Sequence, residues 1–463
     1  MALHFKMATH MPVPAHQLFS WHERRGAFER LTPPWQRLDI VYNSGSLLPG
    51  SYVIFKAYYG PFFITWKAEH IHYDKNREFI DTQKKGPFKT WVHHHITKEK
   101  NATTSILKDS ITYTLPMKHI NIGKCSINTS LKQLFAYRHK TLHTDLYIQN
   151  KYCFKKPLKI AITGSSGTIG QCLSAFLTTA GHCVIPITRK KITTQHIFWD
   201  INRQFIENDK LENIDAVINL CGENIGQRKW SAQQKERIYN SRILSTRLLA
   251  NALNTLKSPP HTLISASAIG YYGKNAQHVK NENQLGGNDF LATVCEKWEQ
   301  AAQHFTQGRV VNPRFGIVLT PKGGALKKML PVFRAGLGGQ LGSGSQIMSW
   351  ISIDDLIYTL YHILYTHTLS GPINITSPHS VSNRLFTQTL GQILKRPYIF
   401  SIPEKILKII FGEMAEGTLL ADINAIPSKL LKSGFTFQYD KLETTLRHLL
   451  GTRDINSLEK NIL

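Results

Sequence analysis

Gly164, Ser165, Ser166, Gly167, Thr168, Ile169 and Gly170 place three glycines at Gly-x-x-Gly-x-x-Gly spacing directly after an apolar run, Leu158 to Ile162. The chemistry this spacing suits is the holding of phosphate. A strand that ends there must turn sharply, let its backbone approach a pyrophosphate and pack a helix close behind, and a side chain obstructs each of these. The helix N-terminus then offers unpaired N–H groups to the negative charge. Residues Thr168 to Thr179 carry Ile169, Leu173, Phe176 and Leu177 at helical spacing, so strand, turn and helix follow in the required order. A dinucleotide is the expected ligand.

Which dinucleotide depends on the end of the next strand, where a carboxylate would bind a ribose 2′-hydroxyl and a basic residue a 2′-phosphate. The chain has Thr188, Arg189, Lys190 and Lys191 there and no Asp or Glu, which favours NADP over NAD. Asp200, after the third strand, is placed to accept from the adenine amine. Leu220, Cys221 and Gly222, after the fourth, are placed to line adenine and ribose. Histidines near the N-terminus, His70, His72, His93, His94 and His95, raise the question of a metal, since His93 and His95 share one face of a strand. Zinc needs three or four converging ligands with outer support. Cross-strand packing or cavity lining explains the alternation with fewer assumptions, and no metal is expected.

The elements that must position these residues divide the chain. From residue 1 to about 148, short β-type runs (Ser51 to Tyr59, Phe62 to Ile71, Phe79 to Gln83, Thr90 to Ile96, Ser105 to Tyr113) form an antiparallel meander, followed by a helix over Ile127 to Leu146. The expected form is α+β, a curved sheet gripping one long helix with a cavity between them. A polar linker, Gln149 to Pro157, leads to a region of alternating strands and helices. Its strand candidates are Leu158 to Ile162, Cys183 to Thr188, His196 to Trp199, Ala216 to Leu220, Thr262 to Ala266 and Val310 to Leu319. This predicts an α/β, Rossmann-like, doubly wound parallel sheet over 158–400. A long amphipathic helix over Ser231 to Leu256 crosses between two of the strands, and further helices are expected near Asp354 to Tyr365 and Arg384 to Leu394.

Bulk properties bound the function. The chain of 463 residues is too long for one ordinary core, and 42% hydrophobic residues allow globular packing throughout. Six scattered cysteines without a Cys-x-x-Cys pair suit reduced thiols rather than a disulfide framework. No run has signal-peptide or membrane-span character, so a soluble, cytoplasmic protein is expected. The net charge of +25 is dispersed and no nucleic-acid motif accompanies it, so the expected partners are a small-molecule substrate or hydrophobic ligand rather than a specific nucleic acid.

Several longer motifs, in order, carry a family resemblance. They are Asn219-Leu-Cys-Gly-Glu-Asn-Ile225, Ser241-Arg242, Ser265-Ala-Ser-Ala-Ile-Gly-Tyr-Tyr-Gly273, Arg314-Phe-Gly-Ile-Val-Leu319 and the stretch Gly342 to Asp355. Through them residues 158 to about 450 resemble epimerase family proteins of the atypical extended short-chain dehydrogenase/reductase group. Gly26 to Trp35, Gly86 to Trp91 and Phe135 to His139 resemble the polyketide-cyclase-like helix-grip (SRPBCC) domains fused to some members. Residues 401–450 look like the family's small C-terminal domain. The resemblance implies an NADP(H)-binding oxidoreductase or epimerase-like enzyme, and Arg242 in the Ser-Arg motif as a residue that reaches cofactor phosphate.

Catalysis departs from that pattern. Short-chain dehydrogenases use a Tyr-x-x-x-Lys pair on one helix face, the lysine lowering the tyrosine pKa for proton transfer. Here such pairs occur only at Tyr52/Lys56, Tyr147/Lys151 and Tyr152/Lys156, all before the nucleotide region, while Leu291 and Cys295 occupy the matching helix positions. Ser267 remains in the place of the active-site serine, and Tyr271, Tyr272 and Lys297 are the nearest substitutes for acid and base; Glu223 and Asn224 offer another polar pair. The missing pair leaves open a catalytically inactive NADP(H) sensor.

Overall fold

In the computed structural model, residues 2–116, 121–152, 156–190, 193–274 and 278–452 are described. They form two compact units, one of Met1–Lys156 with Ala175–Gly181 and Arg447–Leu463, the other of Pro157–Ser174 and His182–Leu446. No helix among the described residues is long and apolar enough to cross a membrane.

The first unit is built on a seven-stranded antiparallel sheet. Its strands are β1 (Leu3–Met11), β2 (Leu38–Asn43), β3 (Tyr52–Tyr59), β4 (Phe62–Asp74), β5 (Glu78–Lys85), β6 (Thr90–Asn101) and β7 (Thr104–Thr114), in the order β1-β7-β6-β5-β4-β3-β2. The five runs expected from sequence are β3 to β7. The outlying β1 and β2 were not anticipated, and α1 (Ala15–Glu23) and α2 (Ala27–Leu31) lie between them. Along β7 every second residue is buried, from Ser105 through Leu107, Asp109 and Ile111 to Tyr113, as a sheet with one covered face requires. The cover is α3 (Asn121–Asn150), whose Leu131, Phe135 and Ala136 pack with Phe5, Met7, Trp91, Ile111 and Tyr113. Leu142 and Leu146, two and three turns on, pack with Met11, Leu18, Trp21 and Leu107. Arg30 of α2 is fixed to Asp145 of α3 by two hydrogen bonds, Nε to Oδ2 at 2.8 Å and a terminal nitrogen to Oδ1 at 2.6 Å, and both side chains are buried.

The second unit holds a nine-stranded sheet. In chain order the strands of this sheet and the helices between them are β8 (Lys159–Thr163), α4 (Thr168–Thr179, whose residues from Ala175 on belong to the first unit), β9 (Cys183–Thr188), β10 (Ile197–Asp200), β11 (Phe205–Ile206), β12 (Ala216–Asn219), α5 (Ala232–Asn254), β13 (Thr262–Ser265), β14 (Ser267–Ala268), α6 (Phe290–Ala302) and β15 (Arg309–Phe315). The spatial order is β11-β10-β9-β8-β12-β13-β15-β14, and β19 (Gly371–Ile375) pairs with β15; all pairings are parallel except β10 with β11. The chain runs outward from β8 on one side and then returns to build on its other side through β12. That reversal opens a crevice at the carboxyl ends of β8 and β12. The single strand expected over Val310 to Leu319 is broken at Gly316. A Cβ there would lie 2.7 Å from the Ser349 carbonyl oxygen, so the chain passes against that backbone and continues as β16 (Ile317–Leu319), which leaves the main sheet and pairs with β18 (Trp350–Ser352).

Beyond it, α7 (Gly324–Arg334), α8 (Ile353–Tyr365), α9 (Asn383–Leu394) and the short pair β17 (Ile347–Met348) and β20 (Val381–Ser382) complete the extension. The segment after residue 402 is tied to the same unit as far as Leu446. Ile423 and Ala425 pack with Ile269 and Tyr272, and the Asp355 carboxylate accepts from the backbone N–H groups of Gln438 and Tyr439.

Candidate functional site

The glycine turn between β8 and α4 is built as its spacing predicts. Gly164 has φ +68°, a conformation glycine adopts without strain, and a Cβ there would sit 2.9 Å from the Leu220 carbonyl oxygen. At Gly170 a Cβ would fall 2.2 Å from the Gly164 carbonyl oxygen, so the first turn of α4 closes against the loop only because position 170 carries no side chain. Gly167 differs. Its Cβ would meet one atom, the Gly164 oxygen at 3.2 Å, and otherwise point away from protein. Ser165, Ser166, Thr168 and Ile169 complete the turn, and Gly323 comes so close to Thr168 that a Cβ would lie 2.4 Å from its hydroxyl.

The crevice floor is a buried row of polar side chains at one level of three parallel strands. Thr163, Asn219 and Ser265 are register partners across β8, β12 and β13. Thr163 donates to Asn219 Oδ1 at 2.6 Å, and the Asn219 amide donates to Thr246 at 2.8 Å and Ser265 at 3.2 Å. Leu220 N–H donates back to Thr163 Oγ1 at 3.1 Å, and the Trp298 indole donates to Thr246 at 2.9 Å. Buried polar groups are tolerated only when paired; here the pairing fixes where β12 ends and where Leu220, Cys221 and Gly222 begin.

The residue after those three, Glu223, is held by the Ser241-Arg242 motif on α5. Ser241 Oγ accepts from Glu223 N–H at 3.0 Å, while the Arg242 guanidinium donates to the carbonyls of Glu223 at 2.9 Å and Ile238 at 3.1 Å and lies over the Trp298 ring. Arg242 therefore fastens the loop after β12. Two of its N–H donors are directed at these backbone carbonyls. Asp200 Oδ1 accepts from the N–H groups of Asn202 and Arg203 at 3.0 and 3.2 Å, capping the β10–β11 turn. Arg189 and Lys190 are exposed at the end of β9, where Thr188 donates to the Lys190 carbonyl at 2.6 Å. Lys191 lies outside the described residues. Burial raises the Cys221 thiol pKa, and the charges of Arg189 and Arg242 oppose that rise, so both guanidiniums act on the crevice wall.

A second cluster lies at the end of β14 and β15, where Ser267 and Arg314 are register partners. Ser267 is buried and donates to Glu299 Oε1 at 2.7 Å. Arg314 grips the same carboxylate in bidentate fashion, Nε to Oε1 at 2.7 Å and a terminal nitrogen to Oε2 at 2.8 Å. Its guanidinium stacks on the Tyr271 ring, 3.4 Å from the centroid, and donates to the Tyr272 hydroxyl at 3.1 Å. Tyr272 in turn donates to Asn374 Oδ1 at 2.7 Å; burial, against the opposing effect of Arg314, pushes its pKa up to about 12. It stays a neutral phenol at physiological pH.

The structure thus brings together Ser267, Tyr271 and Tyr272. It does not bring Lys297, which is exposed on the outer face of α6 with its Nζ donating to Gln300 of the same helix at 3.0 Å. Leu291 and Cys295, on the inner face, flank the turn of Ile269–Tyr272: a Cβ on Gly270 would meet Leu291 Cβ at 3.4 Å and Cys295 Sγ at 3.9 Å. Burial pushes the Cys295 thiol up to about 12, so it cannot replace a lysine. Glu299 and Arg314 were missed as site residues. An arginine inside a strand that the flanking Val310, Val311 and Phe315 mark as a core strand was the available signal, since a charge is buried there only with a partner.

Comparison with known proteins places this geometry. A profile described as the NAD dependent epimerase/dehydratase family matches residues 160–376, and one described as a domain of unknown function, DUF1731, matches 402–449. The chain is 41% identical over 290 residues to an epimerase family protein of Mycobacterium bovis, covering 62% of this chain and 96% of the relative. It is 34% identical over 304 residues to the epimerase family protein YfhF of Bacillus subtilis, covering 64% and 99%. A crystal structure described as the nucleoside-diphosphate sugar epimerase from Corynebacterium glutamicum superimposes with TM-score 0.80 at 30% identity, over 99% of this chain and 94% of that one. The human epimerase family protein SDR39U1, solved with NADPH, gives TM-score 0.59 at 32% identity over 63% and 98%. The second unit has the Rossmann-like fold of the extended short-chain dehydrogenases, and this chain belongs to the NAD dependent epimerase/dehydratase family.

Proposed function

We propose that the protein is an NADP(H)-dependent oxidoreductase or epimerase-like enzyme acting on a carbonyl or hydroxyl carbon of a small molecule. The observation that carries this reading is the glycine cradle at the β8/β12 reversal, where Gly164 and Gly170 leave no space for a side chain. The residues fit the cofactor that accompanies the human relative. The turn of Gly164, Ser165, Ser166, Gly167, Thr168, Ile169 and Gly170 presents backbone to pyrophosphate, Arg189 and Lys190 take a 2′-phosphate, and Leu220, Cys221 and Gly222 line the adenosine half. Asp200 and Arg242 serve by shaping the walls. NADP(H), when bound, supplies or accepts a hydride. Ser267 and Tyr271 orient the substrate oxygen, with Glu299 accepting the Ser267 hydroxyl proton in a hydrogen bond and Arg314 keeping Glu299 in place.

Residues 1–148 form a helix-grip domain that binds a ligand, 158–400 the nucleotide domain and 401–450 the small C-terminal domain; the setting is the cytoplasm. The interior of the first sheet carries Asp81, His93, His95 and Asp109, so its ligand meets charge as well as apolar surface. Leu291 and Cys295 in place of a tyrosine and lysine favour a second reading, an NADP(H) sensor without turnover. Titration calorimetry tests the cofactor: NADPH should bind more tightly than NADH, and Arg189→Asp should reverse the order, because NADH lacks the phosphate that Arg189 pairs with. Equal affinities for both cofactors would remove the assignment. Absence of hydride transfer with any carbonyl or sugar-nucleotide substrate, with NADPH bound, would select the sensor.

A further inference from the structure

A cluster of histidines and aspartates is buried in the first unit, remote in sequence from the nucleotide region. Asp81 on β5 is the register partner of His93 on β6, and His95 on β6 is the partner of Asp109 on β7, so four side chains share one sheet face. His93 Nδ1 and His95 Nε2 both face Asp81 Oδ2, at 3.4 and 3.2 Å. The opposite nitrogens, His93 Nε2 and His95 Nδ1, both face Asp109 Oδ1, at 3.0 and 2.8 Å. Asp109 Oδ2 is occupied separately by His139 Nε2 of α3 at 2.6 Å, and His139 Nδ1 lies 2.8 Å from the Thr9 hydroxyl.

This arrangement makes a demand that neutral imidazoles cannot meet. A neutral ring has one N–H and one lone pair, so it can donate to one carboxylate only. Each of these rings faces carboxylate oxygen from both nitrogens, and the two ring centroids are 3.7 Å apart. Two protons more would satisfy the geometry, at the cost of stacking two imidazolium ions. A cation beside Asp81 satisfies it differently: the lone pairs of His93 Nδ1 and His95 Nε2 bind the cation, and the far N–H groups donate to Asp109.

We propose that Asp81, His93 and His95 bind a divalent first-row transition metal, zinc or iron, with Asp109 orienting both histidines. Three observations support this. The donor atoms of the three residues lie within 4.8 Å of one another. Two of the three separations, 3.4 and 3.2 Å from Asp81 Oδ2 to the histidine nitrogens, match the edge of about 3.3 Å that a tetrahedron with metal–ligand bonds of about 2.0–2.1 Å requires. Asp109 occupies the outer position in which ligating histidines find a carboxylate, which fixes the tautomer and raises ligand basicity. Two histidines and one carboxylate leave a coordination position open, as in sites where a metal acts on water or substrate. His70, the register partner of Asp81 on β4, has a buried Nδ1 without a hydrogen-bond partner and adds a further donor nearby. The Arg138 charge acts on both carboxylates, Asp81 and Asp109.

The test uses the full chain without an affinity tag, stripped with chelator and dialysed against Zn2+ or Fe2+, with bound metal measured by mass spectrometry. One ion per chain is expected, and it should be lost in the folded double variant Asp81→Ala, His95→Ala. Asp109→Asn should weaken binding by about 10- to 100-fold, as loss of an outer carboxylate does. His72→Ala with His94→Ala removes the separate outer pair on Glu78 and should change nothing. Co2+ bound to the wild-type chain should give the visible absorption of a low-coordinate site, displaced by Zn2+, a readout that needs no variant. No metal on the folded wild type, or retention undiminished in the double variant, would overturn the proposal. Preference for Fe2+ over Zn2+ would assign the ion without changing the site.

Discussion

At the scale of single residues, Ser267 has the clearest environment for chemistry, buried and hydrogen-bonded to a carboxylate that Arg314 holds with two contacts. If the protein turns over, Ser267→Ala and Tyr271→Phe should each lower kcat by about 10²- to 10⁴-fold, the usual loss for a positioned proton-transfer group. NADPH affinity should stay nearly constant, because neither residue belongs to the glycine turn. Full activity in the double variant would remove both from the mechanism. Cys295 gives a pH prediction. Its thiol ionises near 9.0 unperturbed and near 12 in the fold, chiefly through burial. Between those values the unfolded chain has released a proton that the folded chain keeps, so stability falls as pH rises, by up to about 1.4 kcal/mol per pH unit. The melting temperature of Cys295→Ala should therefore decline less steeply above pH 9 than that of the wild type. Parallel declines would show that the thiol titrates freely.

At the scale of elements, the glycines of one turn have different tasks. Gly170→Val should damage the turn itself, lowering stability and cofactor affinity together, since no Cβ fits beside the Gly164 oxygen. Gly167→Val should leave the melting temperature almost unchanged and abolish NADPH binding, because its side chain would project into the space that the pyrophosphate enters. Fluorescence titration paired with thermal melts separates the two; normal NADPH binding by Gly167→Val would show that the loop is not the phosphate site. The turn, β8 and α4 were legible in the sequence because the whole signal lies within about twenty consecutive residues. The exit of β16 from the main sheet was not, because Gly316 yields to the backbone of Ser349, a neighbour more than thirty positions away.

At the scale of the whole molecule, the two compact units hold two different candidate sites, and ligands should report on them separately. A ligand present at 100 times its Kd stabilises the fold that binds it by about 2.7 kcal/mol. In scanning calorimetry NADPH should raise the transition of the second unit, and Zn2+ that of the first. A shift of one shared transition by both ligands would show that the units unfold as one. A Zn2+ effect that survives Asp81→Ala, His95→Ala would place the ion elsewhere.

The amino-acid sequence by itself determined the nucleotide fold, the basic residues after β9, the sheet-plus-helix form of the first region and the absence of a Tyr-x-x-x-Lys pair from the nucleotide region. Each depends on local order: periodicity, a turn signature or residue types at fixed spacing on one helix. Only the tertiary structure decided that Arg242 and Asp200 fasten loops, that Lys297 faces away from Ser267 while Glu299 and Arg314 close on it, and that His93 and His95 stand between two aspartates. The alternation along β6 showed that the two histidines share a face. What stands opposite them depends on the register of β5 and β7, and moving either strand by one residue would turn Asp81 or Asp109 to the other side of the sheet.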